Sequence, residues 1–404
     1  MDRPARCNWA SRPNTPASST SPRTAICRKD SSDSVTFPLP AGARLTVDLT
    51  AMQDNWRDLD ARARPGRAGA VIKADAYGLG VDFVAPALAS AGCRTFFVAF
   101  PAEAVALKRI LADADVVVFN ALDTGGLAVC RDRGFTPTLN STAETGWWLE
   151  NGRGQPAALM VDTGVNRLGL TETEALICAG RFRPRLLMSH LACADEPAHP
   201  MNRAQRESFQ RIRGAFGETE SSLANSAGMF LGDEFKSDIA RPGIALYGGA
   251  PVAGQPNPMR TVATLEARIT QVRRAKAGET VSYGATQTLT RDTLIAVAAI
   301  GYADGWPRSA SATGVALRAD GSPGGEGFVG GGFAPILGRV TMDATLFDAT
   351  DCGDVKPGDW IELFGPNIAL DDAAVHAGTI SYELLTGIGK RVERRYAAGM
   401  ETRT

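Results

Sequence analysis

The 404-residue chain predicts an α/β fold: an N-terminal (β/α)8 barrel of the TIM type, followed by a C-terminal, mostly β domain. Three observations lead there. The length exceeds the ~250–300 residues at which single hydrophobic cores stop growing, so two domains are expected. From about residue 44 to 258, eight short apolar runs alternate with helix-like segments, a rhythm of parallel βα units closing into a barrel rather than an open sheet. From 259 to 404 the texture changes to short strands punctuated by Gly and Pro.

Taken in order, residues 1 to about 40 are rich in Ser, Thr, Arg and Pro and lack the apolar core of a secretory signal. Disorder is the expectation. An organellar transit segment is the other reading of the Arg and Ser content, but Asp2, Asp30 and Asp33 are acidic and the scattered prolines break any amphipathic helix. From Arg44 a strand, RLTVDL, leads to a helix spaced by Met52, Trp56 and Leu59; that strand is a candidate to pair with the C-terminal domain. The barrel runs follow: AVIKA, FFVAF, VVVFN, TPTLN, AALMVD, RLLMSHLA, SLANSA and ARPGIALYG. A Pro/Gly-rich linker, APVAGQPNP, precedes VATLEARITQV, AVAAIGYADGW, APILGRVTMDATLFD and DWIELFG. The glycine-dense GSPGGEGFVGGG, residues 321 to 332, lacks the lysine of a phosphate loop and reads as a long hairpin loop.

Composition excludes several classes. Lys and Arg number 43 against 44 Asp and Glu, which removes the electrostatic case for nucleic acid or an anionic membrane as partner. No apolar run has the length of a membrane span. The seven cysteines are scattered and odd in number, without metal-type spacing, so neither a disulfide framework nor a metal site is expected and a reducing cytoplasm fits.

A barrel carries its active site at the C-terminal ends of its strands, and polar residues gather there: Lys73, Asn120, Asn140, Asp162, His190, Asn225 with Ser226, and Arg241. Lys73 is the most unusual. A lysine closing a buried strand either emerges into solvent or is used, since burial lowers its pKa and frees a nucleophilic amine for a Schiff base with a carbonyl compound. The loops after the last two strands, LANSAG and ARPGIALYG, read either as ordinary turns or as a phosphate site, where barrels of this kind often bind phosphate.

Together these residues carry a resemblance. AVIKADAYGLG, VDTGVNRLGL, SHLACADE, NSAG, ARPGIALYG, VSYGATQ, GYADGW, GRVTMD and YELLTGIGKRVERRY, in this order over residues 44 to 396, resemble the alanine racemases, fold-type III enzymes dependent on pyridoxal phosphate (PLP). The resemblance implies interconversion of L- and D-alanine, supplying D-alanine for bacterial peptidoglycan. Lys73 would carry PLP and serve the D-alanine face, with Tyr283 as second base on the L-alanine face, because one base cannot easily reach both sides of the α-carbon. Tyr77, Ser226, the backbone at Gly243 and Ile244, and Tyr382 would hold the phosphate. Arg241 would face the pyridine nitrogen and, with a pKa above ~12, keep that nitrogen unprotonated. His190 would pack near the ring and bond Arg241. Arg167 would hold the substrate carboxylate and depress the Tyr283 pKa, with the Met342 backbone opposite. Tyr302 and Asp343 would line a narrow entrance. In the family Tyr283, Tyr302, Met342 and Asp343 come from the other subunit, which implies a head-to-tail homodimer.

Two positions depart from the family pattern. Many relatives carry a carbamylated lysine two residues before the Asp of VDTG to steady the arginine; here it is Met160, and a bound anion near Asn166 is the substitute considered. Some relatives carry a histidine four residues before the phosphate serine; here it is Ser222. Rival readings are a serine or broad-specificity racemase, a PLP decarboxylase of like architecture, and a non-catalytic PLP-binding barrel. The VSYGATQ block speaks against the last two.

Overall fold

The structure, a computed structural model, describes residues 41–397. The disorder expected of the first forty residues lies outside the described residues.

Seven parallel strands follow one another in sheet order: Ala70–Val71, Thr95–Val98, Asp115–Val118, Thr136–Leu139, Ala158–Met160, Leu186–Met188 and Glu220–Ser222. Their residues are almost all buried, as expected of parallel strands covered on both faces. An eighth strand, Ile239–Ala240, pairs in parallel with Arg67–Ala68, while the Arg241 N–H donates to Ala224 O at 2.9 Å. It lies between the seventh strand and the first and closes the barrel. Two runs are shorter than expected. Of SLANSA only Ser222 is strand, since Asn225 and Ser226 lead into a 3-10 turn at Ala227–Phe230. In ARPGIALYG the strand stops at Ala240, Pro242 withholds a ladder donor, and Ile244–Tyr247 winds into another 3-10 turn.

The second sheet has the order Thr293–Ala298, Thr345–Asp348, Gly332–Leu337, Glu326–Val329, Trp360–Phe364, Ala263–Ala275, Ala43–Asp48, Glu393–Ala397. The 13-residue strand Ala263–Ala275 also pairs with Thr293–Ala298, so six of these strands form a closed antiparallel ring. A bulge between Ile269 and Gln271 lets that strand serve partners on both sides. The first strand, Ala43–Asp48, runs antiparallel to Ala263–Ala275 and parallel to Glu393–Ala397. The glycine-dense stretch differs from the loop expected: Glu326–Val329 is a strand, paired with Gly332–Leu337 around a tight turn at Gly330 and Gly331, both at positive φ.

The helix Leu49–Ala63 is capped by Asp48, whose carboxylate accepts from the Thr50 and Ala51 N–H groups at 2.9 Å. Its buried face, Met52, Trp56 and Leu59, joins one apolar core with barrel residues such as Phe96 and Phe97 and with Leu45, Ile361 and Phe364 of the second sheet. That continuity fixes the β part against the barrel. No helix among the described residues is long and apolar enough to cross a membrane.

Candidate active site

Lys73 follows the strand Ala70–Val71, and the backbone after it is unusual. Ala74, Asp75, Ala76 and Tyr77 all have φ between 53° and 58°, a left-handed turn made without glycine. Each such residue costs ~1–2 kcal/mol, so the surroundings must hold it. Glu103 does so from the helix Pro101–Ile110: one carboxylate oxygen accepts from Ala74 N at 2.8 Å, the other from Ala99 N at 2.7 Å. Asp75 accepts from Val81 N at 2.7 Å. The two glycines that look like a flexible hinge are not one. A Cβ at Gly78 would stand 2.6 Å from Leu385 O, and one at Gly80 would stand 2.1 Å from the Tyr396 hydroxyl, so both are packed against the C-terminal segment.

The turn delivers Tyr77 to the end of the barrel, where its ring meets Tyr247 at 4.5 Å and Tyr382 at 5.9 Å between centroids. A Cβ on Gly243 would lie 2.3 Å from the Tyr77 hydroxyl, so only glycine permits this approach. Ser226 Oγ accepts from Gly243 N at 2.8 Å and Ala245 N at 3.3 Å. Among the described residues neither the Tyr77 hydroxyl nor the Ile244 N–H has a protein partner. Burial drives the Tyr77 phenol well above its ordinary range and pushes Tyr382 up to about 12, so both remain donors at neutral pH. The result is a cup of donors around a space that a phosphate fits.

Arg241 lies on the opposite wall, 3% exposed. Its guanidinium donates to Ser222 O at 2.8 Å, to Ser189 O at 2.6 Å and to Ser222 Oγ, and stands 3.4 Å from His190 Nδ1. Ser222 therefore supplies two acceptors where some relatives have a histidine. Burial lowers the Arg241 pKa to about 10, which leaves it charged at neutral pH. Burial, reinforced by Arg241, Arg167 and Lys73, lowers His190 to about 3, so its ring is neutral and Nδ1 accepts from Arg241.

Lys73 borders two cavities. One, about 560 Å³, opens past Tyr77, Tyr382 and Ile380. The other, about 300 Å³, is lined by Lys73, Arg167, His190, Arg241, Asn140 and Met160 among others, and no carboxylate faces it. Burial foremost, then Arg167, lowers the Lys73 pKa against an opposing pull from Glu103. An amine of lowered pKa beside two arginines, with no carboxylate on the cavity wall, makes a pocket for an anionic carbonyl compound and a carboxylate. The donor cup and the paired arginine fit PLP. A larger cavity of about 700 Å³, among Trp56, Arg64 and Arg94, lies where the strands begin and shares none of this chemistry.

Tyr283, Tyr302, Met342 and Asp343 line neither Lys73 cavity in this chain. They are surface residues of the β part, Tyr283 being 74% and Met342 53% exposed. One segment, Arg339 to Asp343, ties them together. Ser282 Oγ donates to Arg339 O at 2.8 Å, Tyr302 N to Thr341 O at 3.0 Å and Ala303 N to Met342 O at 3.1 Å. Arg391 bridges Asp304 and Asp343 at 2.8 Å each. Sequence reading missed Glu103 and the bonds that Ser189 and Ser222 make to Arg241. The one visible signal for Glu103 was a glutamate at the third helical position after Pro101, where a carboxylate can turn back to cap.

Comparison with known families decides the assignment. Residues 47–251 match the family described as alanine racemase, N-terminal domain, and residues 262–396 match alanine racemase, C-terminal domain. The chain belongs to the alanine racemase family. The biosynthetic alanine racemase of Agrobacterium fabrum is 49% identical over 367 residues, covering 88% of this chain and 94% of that protein. The alanine racemase of Rhizobium meliloti is 48% identical over 372 residues, covering 89% and 98%. Among solved structures, alanine racemase from Bartonella henselae with covalently bound pyridoxal phosphate has a TM-score of 0.81 at 37% identity, covering 89% of this chain and all of that one. The family relationship extends over both the barrel and the β part.

Proposed function

We propose that this chain interconverts L- and D-alanine with PLP attached at Lys73. The observation that carries the reading is the position of the Lys73 amine, its pKa lowered, between a donor cup and a buried arginine. Tyr77, Ser226, Gly243, Ile244 and Tyr382 would hold the phosphate, while Arg241 and His190 would meet the ring. PLP bound there supplies the electron sink that acidifies the substrate α-proton. Arg167 takes the substrate carboxylate and turns the α-carbon toward Lys73. The Lys73 amine, uncharged more readily than in water, removes or returns the proton on one face. Tyr283 does the same on the other face. The Arg241 guanidinium retains its protons at neutral pH, so a ring nitrogen facing it would stay unprotonated, which would restrain side reactions.

Tyr283, Tyr302, Met342 and Asp343 act from a second subunit, in a head-to-tail homodimer whose entrance they narrow to a small amino acid. Their exposure on one chain supports that arrangement. The enzyme works in the cytoplasm and supplies D-alanine for peptidoglycan. The test is a chiral assay over a panel of amino acids. Conversion of L-alanine to D-alanine and back is expected, with serine and larger substrates slower; protein that binds PLP yet leaves L-alanine unchanged overturns the reading.

A further inference from the structure

Arg167 lacks the support that its proposed task requires. Among the described residues its guanidinium has no ion pair and no hydrogen bond, and its backbone N–H alone is held, by Asp162 at 3.2 Å. The residue before it, Asn166, is at φ 55°, so the loop presents the arginine but does not orient its head group. Met160, on the cavity wall, has no acceptor for it. A long cationic side chain free to rotate binds a carboxylate weakly, because ordering it on binding consumes rotamer entropy.

The same cavity holds an oxygen in the converse situation. Asn140 is 7% exposed, at the end of the strand Thr136–Leu139. Its side-chain nitrogen donates to Phe119 O and Thr138 O, both at 3.0 Å. Only an NH₂ group can donate to two carbonyls, so the amide orientation is fixed and the oxygen faces the other way. That oxygen, Oδ1, is buried and without a donor. A buried acceptor left unpaired costs ~1–3 kcal/mol, so it calls for a donor. Asn140 O also accepts from Gly169 N at 3.2 Å, which ties its strand to the loop carrying Arg167. The cationic donors lining this cavity are Lys73, Arg167 and Arg241. Arg241 is occupied by Ser189, Ser222 and His190, and Lys73 is committed to the cofactor in the reading above.

We infer that Asn140 is the positioning residue for Arg167: its Oδ1 accepts a hydrogen bond from the guanidinium and takes over the support that Met160 does not supply. This rests on the assignment of Arg167 to the substrate carboxylate. A neutral acceptor orients the arginine without cancelling its charge, which leaves the full positive charge for the substrate and for the Tyr283 phenol beyond it.

The holoprotein tests this with propionate, alanine without its amino group, titrated through the cofactor absorbance band. Asn140→Leu is expected to raise the propionate Kd and the alanine KM about tenfold or more, as for one hydrogen bond to a charged group, with PLP content unchanged and kcat less affected. Adding Met160→Gln, close in size and bearing an amide oxygen on the next strand, should restore most of the affinity. A propionate Kd within about twofold of the unaltered protein, or loss of PLP together with affinity, overturns the inference. Should Asn140→Leu fail to fold, a crystal structure of the unaltered holoprotein decides. An Arg167 nitrogen within hydrogen-bond distance of Asn140 Oδ1 is expected, and a chloride or other anion on Arg167 with Oδ1 paired elsewhere overturns it. Alanine turnover by the unaltered enzyme tests the function separately, since propionate binding and the crystal contact can be read in a protein that turns out not to racemise.

Discussion

The barrel end around Lys73 and the surface patch around Tyr283 belong to one proposed reaction and have opposite physical characters. At the barrel end Tyr77, Ser226, Arg241 and Asn140 are buried, the last three held by hydrogen bonds, and the cavity that Arg241 and Asn140 border is lined by cations without a carboxylate. On the β part, Tyr283, Tyr302 and Met342 lie exposed on a framework of well-made backbone hydrogen bonds. A rigid backbone presenting bare side chains suits a surface shaped for a second chain. One molecule thus holds two half-sites that do not meet within it, and the proposed dimer supplies each with its complement.

The largest effect expected is for Lys73→Ala, which removes the anchor and one base together. Racemisation in both directions should fall by at least ~10³-fold, measured by chiral chromatography. Tyr283→Phe should follow, with a loss of ~10²–10⁴-fold and a changed solvent isotope effect on the L-alanine side. The comparison of half-sites is sharpened by co-expressing the two inactive variants with different tags. The isolated hybrid carries one site with both Lys73 and Tyr283 intact and should regain roughly half the unaltered activity. A hybrid as dead as its parents would show that both bases come from the same chain.

Smaller effects probe the barrel half alone. Glu103→Gln replaces one accepting oxygen by an NH₂ group facing a backbone N–H. It should cost ~1–3 kcal/mol in urea unfolding and weaken PLP retention. The pH dependence of stability should also carry a His190 signature. An unfolded histidine titrates near ~6.5, whereas His190 is lowered to about 3. Below pH 6.5 the unfolded chain therefore takes up a proton that the folded chain refuses, and stability falls as the pH drops toward 3. In His190→Gln the loss of stability between pH 7 and 5 should be smaller, by at most about 2 kcal/mol.

The sequence announced the barrel because parallel strands buried on both faces are continuous apolar runs, as in FFVAF and VVVFN, and their polar end residues mark the site. It announced less where local preference and tertiary demand disagree. Ala-Asp-Ala-Tyr carries no sign of a left-handed turn, because alanine favours the right-handed helix and the stabilising carboxylate of Glu103 lies 29 residues on. The strand within GSPGGEGFVGGG was masked by glycines whose small size lets Ile361 pack closely, 2.5 Å from where a Cβ on Gly327 would be. Asn140 could be marked as a strand-end residue from the sequence. Its unpaired oxygen became visible only once Phe119 and Thr138 were seen to take both of its donors.

The strand Glu393–Ala397 has a consequence for the order in which this enzyme is made. It lies beside Ala43–Asp48, about 350 residues earlier in the chain. From it Arg394 donates to Gly78 O at 3.1 Å, Tyr396 donates to Leu79 O at 3.0 Å, and the Tyr396 ring stacks on Phe83 at 3.8 Å. These contacts brace the far side of the turn that carries Lys73. At ~5–20 residues per second of synthesis, the segment bearing the lysine waits tens of seconds for its brace. The strand Glu393–Ala397 thus acts as a completion mark: until it is made, the turn that carries Lys73 lacks these contacts.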